Sequence, residues 1–497
     1  MRVSCCAGLL ALATMLSAAC GDDSSPPVGA EGGRASGGAA SGGIASGGDA
    51  GAKASGGSGP AAAGAGGGPT EAGSGPGGTG NGGAGGSDAG AGGSDPIVIY
   101  PERDIELTEL DIDLATQTGT AAITLAPSTT LGARFNAKGL TIRSISLDGE
   151  PVPYELGPTG LAVRVPASAE STTIVVEYDW QFNTESHGIS PDGFTLIWPY
   201  YCGNVFPCNT NPSDGTRFKL SVSGATQTLV YPQEISNEAP SYMLGWVQGD
   251  YTRVELGATV AGTHVSMWHL PDGEADAALG GAHLVEAFDW LEQHLGPYLF
   301  GGDVGVVAVD WGPKSLGGME HHPYWHIAAK SISDEVVNVH EASHGWFGNG
   351  IRLRCWEDLV LSEGTATYLA ARVLEEVTGS DATWARYEAD FASRLPAGNR
   401  RAWYPAQCNL IDVVTSGLFN RVTYLKGAFF LRALEQEVGR SAFDEALRTF
   451  YLRFAGEAAR VQDLLDVVSE VTDYDPQDCA EAWLASSLTI PEFGPCS

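Results

Sequence analysis

The segment HEASHGWFGNGIRLRCWEDLVLSEGTATYL, His340 to Leu369, opens with two histidines four positions apart and a glutamate between them. On a helix such positions share a face, so His340 and His344 aim both imidazoles at one point with Glu341 beside them. Glu363 follows after eighteen intervening residues and adds a carboxylate. Two neutral imidazoles and one carboxylate suit a single Zn²⁺ ion and leave its fourth position open to water, as reactive sites do and closed structural sites do not. Glu341, adjacent to the metal and not on it, is placed to take a proton from that water.

Outward from this segment the pattern is helical. A metal helix is expected over Ser333 to Phe347, capped by Ser331 or Ser333, and Ser362 reads as the cap of a second helix that carries Glu363 to about Val377, before Gly379. Leu284, Phe288, Leu291 and Leu295 fall at helical spacing ahead of Gly296-Pro297, and Val304 to Val309 reads as a buried strand. Gly427 to Val438 and Val461 to Val471 continue the helical pattern. Upstream, Ile142 to Leu147, Ile174 to Tyr178 and the alternating Phe218, Leu220 and Val222 have the period of strands, punctuated by turns such as Asp148-Gly149. An α+β chain follows, with an antiparallel β domain at 97–256 and a mostly helical catalytic domain at 257–497.

The first twenty residues hold Arg2, an apolar run from Ala7 to Leu16 and small residues before Cys20, which reads as an export signal. The arrangement resembles a bacterial lipoprotein signal, with Cys20 lipidated and the chain held at a membrane of the cell envelope. Ser17 stands where an aliphatic residue is usual, and a plain secretory signal is the alternative. Residues 21–96 are nearly all Gly, Ala, Ser and Pro, too poor in large apolar groups to build a core, and read as a disordered tether. The formal charge of -33 argues against nucleic acid as a partner. Of nine cysteines, removal of the signal and the anchor leaves six, an even number that suits disulfides in an exported protein. Cys202 with Cys208 is the most local pair and Cys479 with Cys496 staples the C-terminus. Cys355 with Cys408 follows by elimination, one of fifteen possible connectivities.

The quoted segment resembles the zinc aminopeptidases of the aminopeptidase N and leukotriene hydrolase family. Two further pieces agree and occur in the family's order: Gly317-Gly318-Met319-Glu320 looks like its GxMEN strand and Tyr424-Leu425-Lys426-Gly427 like its Y-x-K-G segment. The resemblance implies a saddle-shaped or sandwich-like N-terminal β domain, a thermolysin-like catalytic domain, and a form without the family's C-terminal helical domain. It implies that His340, His344 and Glu363 hold one zinc ion, that Glu341 activates water, and that Tyr424 donates to the oxyanion. It further implies that Glu320 binds the substrate's α-ammonium, while Gly317, Gly318 and Met319 line the peptide. The expected activity is release of N-terminal residues from peptides. A zinc endopeptidase or other zinc hydrolase is the rival among enzymes, and an inactive anchored binding protein the rival outside them.

Two departures stand out. His321 replaces the family's Asn after the motif glutamate, and with His322 and His326 it offers three imidazoles for pocket lining, packing or a second metal. The region Phe194 to Asn209 has Trp198, Tyr200 and Tyr201 but lacks the glutamine that the family directs at the substrate N-terminus.

Overall fold

The computed structural model describes residues 100–158, 160–184, 187–198, 200–312, 317–487 and 493–496. The export signal, Cys20 and the tether lie outside the described residues. The described residues cluster as one unit.

The first layer is a seven-stranded sheet made of β1 (Ile105–Asp113), β2 (Thr118–Leu125), β3 (Thr141–Leu147), β4 (Glu150–Pro151), β5 (Thr172–Asp179), β6 (Thr216–Ser223) and β7 (Glu234–Ala239). Their spatial order is β7-β6-β1-β2-β5-β3-β4. Alternation builds it: in β6 Phe218, Leu220 and Val222 point into the core while Arg217, Lys219 and Ser221 face water. All pairings are antiparallel except β1 with β6, which run parallel with Leu110 opposite Leu220.

A second sheet of five strands follows, β8 (Thr252–Ala258), β9 (His264–His269), β10 (Asp303–Val309), β11 (Gly318–Met319) and β12 (Tyr324–Ala328), in the order β8-β9-β10-β12-β11. β10 is buried from Val304 to Val309, the continuous apolar run of a strand covered on both faces. β11 is the edge, antiparallel to β12 with Gly318 opposite Ile327. The expected domain boundary at 256/257 falls inside β8, so the change of layer comes between Gly249 and Thr252.

Seven helices of the second part matter to the site: α1 (Leu284–His294), α2 (Glu335–Ser343), α3 (Leu359–Thr378), α4 (Ala382–Arg394), α5 (Arg421–Val438), α6 (Arg440–Phe454) and α7 (Val461–Thr472). The cap of α2 is Asp334, whose carboxylate accepts from the Val336 amide and also pairs with Arg386 at 2.8 Å. Neither Ser331 nor Ser333 has that place. α3 starts at Leu359, three residues before the serine read as its cap, and ends at Gly379 in the left-handed region, φ 68°. α5 starts six residues earlier than expected, at Arg421, because Asn420 caps it through the Val422 amide.

α3 and α5 cross at two glycines. A Cβ on Gly427 would lie 2.6 Å from the Gly364 Cα, and one on Gly364 2.8 Å from the Gly427 Cα, so the backbones touch where no side chain fits. Glu363 precedes one of these glycines and Tyr424 lies three residues before the other.

Candidate metal centre

α2 ends as its second histidine is reached: Ser343 is its last residue and His344 its C-cap, still in the right-handed region at φ -62°. The one-turn spacing survives, and the two Nε2 atoms come within 3.3 Å. α3 carries Glu363 to the same point, with Oε2 at 3.3 Å from His340 Nε2 and 3.7 Å from His344 Nε2. The far nitrogen of each ring is also occupied. His344 Nδ1 lies 3.0 Å from the Phe347 carbonyl and 3.2 Å from Ser362 Oγ. His340 Nδ1 lies 3.4 Å from Thr367 Oγ1, whose hydroxyl donates to the Glu363 carbonyl. A carbonyl acceptor holds the His344 proton on Nδ1 and turns the Nε2 lone pair toward the shared point. The sequence reading gives Thr367 and Phe347 no part in the site and makes Ser362 only a helix cap, although Ser362 and Thr367 flank Glu363 one before and four after.

Glu341 projects from α2 onto β11. A Cβ on Gly318 would fall within 2.6 Å of the Glu341 Cδ, so this glycine makes room for the carboxylate. The sequence reading gives Gly318 to a substrate backbone; in the structure it also makes room for the Glu341 carboxylate. Gly317 accepts from the Ala328 amide at 2.9 Å and Met319 is buried, which keeps the edge strand in place. Glu320 follows directly, its backbone carbonyl held by Asn349 Nδ2 at 2.9 Å. Carboxylate oxygens of Glu320 and Glu341 and a ring nitrogen of His344 lie within 4.8 Å of one another.

Tyr424, in the first turn of α5, hydrogen-bonds the Glu363 carboxylate, and its ring lies parallel to that of His340 at 6.5 Å. Burial holds the Tyr424 hydroxyl well above its usual range, so it remains a donor at neutral pH. Lys426, in the same motif, faces elsewhere: its Nζ donates to the Arg400 and Ser486 carbonyls, both at 2.7 Å, tying α5 to the C-terminal segment.

The three additional imidazoles form no metal cluster among the described residues. His321 pairs its Nδ1 with His326 Nδ1 at 3.0 Å and its Nε2 with the Ile197 carbonyl at 3.1 Å. His322 Nε2 lies 2.8 Å from the Glu341 carbonyl and its Nδ1 2.8 Å from the Tyr298 hydroxyl, so it braces the metal helix from behind. Burial pushes His321 down to about 4 and His322 down to about 3. The unfolded chain protonates both near 6.5, so below that pH it takes up protons that the native state refuses. Stability therefore falls as pH drops from 6.5 toward 4, by on the order of 1 kcal/mol per pH unit for each ring. Denaturant titrations at pH 7 and pH 5 measure this, and His322→Gln should show the shallower decline; equal slopes would count against the buried neutral histidine.

Electrostatics test the fit of a metal. Glu320, Glu341 and Glu363 are 8%, 5% and 7% exposed, and burial raises the carboxyls of Glu320 and Glu363 above their usual range. His340 is pushed down to about 3 by burial and by Arg421, so it is a neutral ligand and not a counter-ion. Buried acids beside a neutral His340 call for cations, and His340, His344 and Glu363 match the donor set of a single zinc ion.

Comparison with known proteins agrees. Residues 323–483 match the Peptidase family M1 domain. Over that stretch the chain is similar to family M1 peptidases. Aminopeptidase N of Streptomyces lividans is 31% identical over 219 residues, which is 41% of this chain and 25% of that protein. Leucine aminopeptidase 2 of Coccidioides immitis is 23% identical over 379 residues, 64% of this chain and 58% of that one. The chain thus spans less than two thirds of the length of these relatives. The M1 zinc metallopeptidase of Deinococcus radiodurans superposes with a TM-score of 0.64 at 21% identity, over 80% of this chain and 97% of that one, and shares its fold. The M1 match begins at Pro323, so Gly317 to Glu320 lie just outside it while both histidines, Glu363 and Tyr424 lie within.

Proposed function

We propose that this M1-like domain makes the chain a zinc aminopeptidase that removes the first residue of peptides. The observation that carries the reading is the position of Glu320, a buried carboxylate within 4.8 Å of Glu341 and His344. Such a group, unpaired unless a cation reaches it, penalises any substrate without a free α-ammonium and sets the cut one residue from the N-terminus.

When bound, zinc polarises a carbonyl and brings the pKa of water toward 7. Glu341 accepts the water proton and hands it to the departing amine. The Tyr424 hydroxyl exchanges the Glu363 carboxylate for the oxyanion that develops on the cleaved carbonyl. Thr367, Ser362 and the Phe347 carbonyl hold the imidazoles in register throughout. Related support comes from the Deinococcus neighbour, one form of which was crystallised bound to a Tyr-Ser-Ala substrate.

Export to the cell envelope with a lipid anchor at Cys20 belongs to the same proposal. It is supported by the sequence of residues 1–20 and by the three pairs Cys202–Cys208, Cys355–Cys408 and Cys479–Cys496, which suit an oxidising compartment.

Free and N-acetylated aminoacyl reporters test the activity. The free forms should be cleaved, turnover should vanish on chelation and return with zinc, and Glu320→Ala should lower kcat/KM for free substrates roughly 10–150-fold. Equal losses on free and acetylated substrates would remove the N-terminal ruler from this account.

A further inference from the structure

A 3₁₀ turn, Trp356–Asp358, leads into α3, the helix that carries Glu363, and it grips the loop that runs from α4 to α5. Glu357 is fully buried. Its Oε2 accepts from the Asn409 amide at 2.7 Å, and its Oε1 accepts from the amides of Leu410 at 2.7 Å and Ile411 at 3.2 Å. Asn409 stands in the left-handed region at φ 52°, a bend that gathers successive N–H groups around one anion. The neighbours of Glu357 hold the same loop: the Trp356 amide donates to Asn409 Oδ1 at 3.1 Å, Asp358 Oδ1 accepts from the Trp403 indole at 2.7 Å, and Cys355 is bonded to Cys408. A buried carboxylate that loses any of these amides pays heavily, so the loop is held against the turn in one register.

From Ile411 the loop reaches Tyr424 through bonded turns. Asp412 accepts from the amides of Val414 and Thr415, and its carbonyl accepts from the Ser416 amide at 2.8 Å. The buried Leu418 gives its carbonyl to the Asn420 amide and to the Thr423 hydroxyl. Asn420 caps α5, and Thr423 directly precedes Tyr424.

We infer that Glu357 is a positioning residue for the reaction: it fixes the loop, and through the loop the start of α5, so that the Tyr424 hydroxyl stays where the oxyanion develops. One short turn then sets both Glu363, through α3, and Tyr424, through α5. The inference rests on the role given to Tyr424 in the proposed function.

Full-length enzyme, Glu357→Gln, Glu357→Ala, Tyr424→Phe and the two double variants are compared on one free aminoacyl reporter, with metal analysis and circular dichroism on each. Glutamine keeps the shape and one acceptor oxygen, so Glu357→Gln should lower kcat about tenfold with zinc content and KM little changed; Glu357→Ala, which releases all three amides, should lose more. The glutamine variant carries the test even where the alanine variant does not fold. With Tyr424→Phe already present, neither change should cost anything further in kcat, because the group that Glu357 positions is gone. Amide exchange in Glu357→Gln should quicken at residues 409–411 and also in the first turn of α5. Wild-type kcat in Glu357→Gln, the same fold loss with and without the Tyr424 hydroxyl, or quickened exchange confined to the loop overturns the inference and leaves the aminopeptidase reading standing. Tyr424→Phe at the wild-type rate overturns the oxyanion role and the inference with it, a result read without any change at Glu357.

Discussion

Glu341→Gln retains zinc and lowers kcat by about 10²–10⁴-fold, the usual contribution of a positioned general base. Glutamine has the shape of glutamate, so it fits the space that Gly318 leaves, and the Glu341 backbone carbonyl keeps its bond to His322. Nothing in the exchange touches His340, His344 or Glu363, whose atoms converge independently of this side chain. Metal analysis should therefore match the wild type while turnover collapses, with KM little changed because the lost interaction is made in the transition state. A variant that holds zinc and works at full rate would move the base to another residue.

Gly427→Ala loses stability and catalysis together. Its methyl group would press on the Gly364 backbone and on the Val360 side chain, both 2.6 Å away, an overpacking that costs about 1–3 kcal/mol. Separating α3 from α5 also separates Glu363 from Tyr424, so turnover should fall toward the roughly 10²–10³-fold loss expected for removing an oxyanion donor. Tyr424→Phe is the control: it should reproduce the catalytic loss with an unchanged denaturation midpoint. If Gly427→Ala unfolds and turns over like the wild type, the close crossing does not position the tyrosine.

Local periodicity explains how much of the site was legible. His340 and His344 converge because any helical turn brings positions four apart together, and Glu363 needed only a second helix to deliver it. Chain alternation likewise marked the β6 core residues, yet it could not name β6's neighbour: Leu110 and Leu220 are parallel partners 110 positions apart, and period-two patterning carries no information about pairing. Ser362 was misread for an instructive reason. Serine before a helical run is a good capping signal, but here it sits in the second turn of α3 with its hydroxyl oxygen 3.2 Å from His344 Nδ1, a tertiary partner no local rule supplies. The Asn420 cap was missed, so Tyr424 was expected ahead of the helix that in fact carries it. His321, His322 and His326 read as pocket lining, packing or a second metal, and burial with nearby carbonyls makes two of them neutral braces.

The edge position of β11 has a bearing on diet. A rim with one open side can be joined only by a single extended strand, and it recognises the main chain common to every peptide. Folded proteins cannot present such a strand unless an end has already frayed. On the proposed reading, Glu320 fixes where the first residue sits, while everything downstream is gripped through its main chain without regard to its letters.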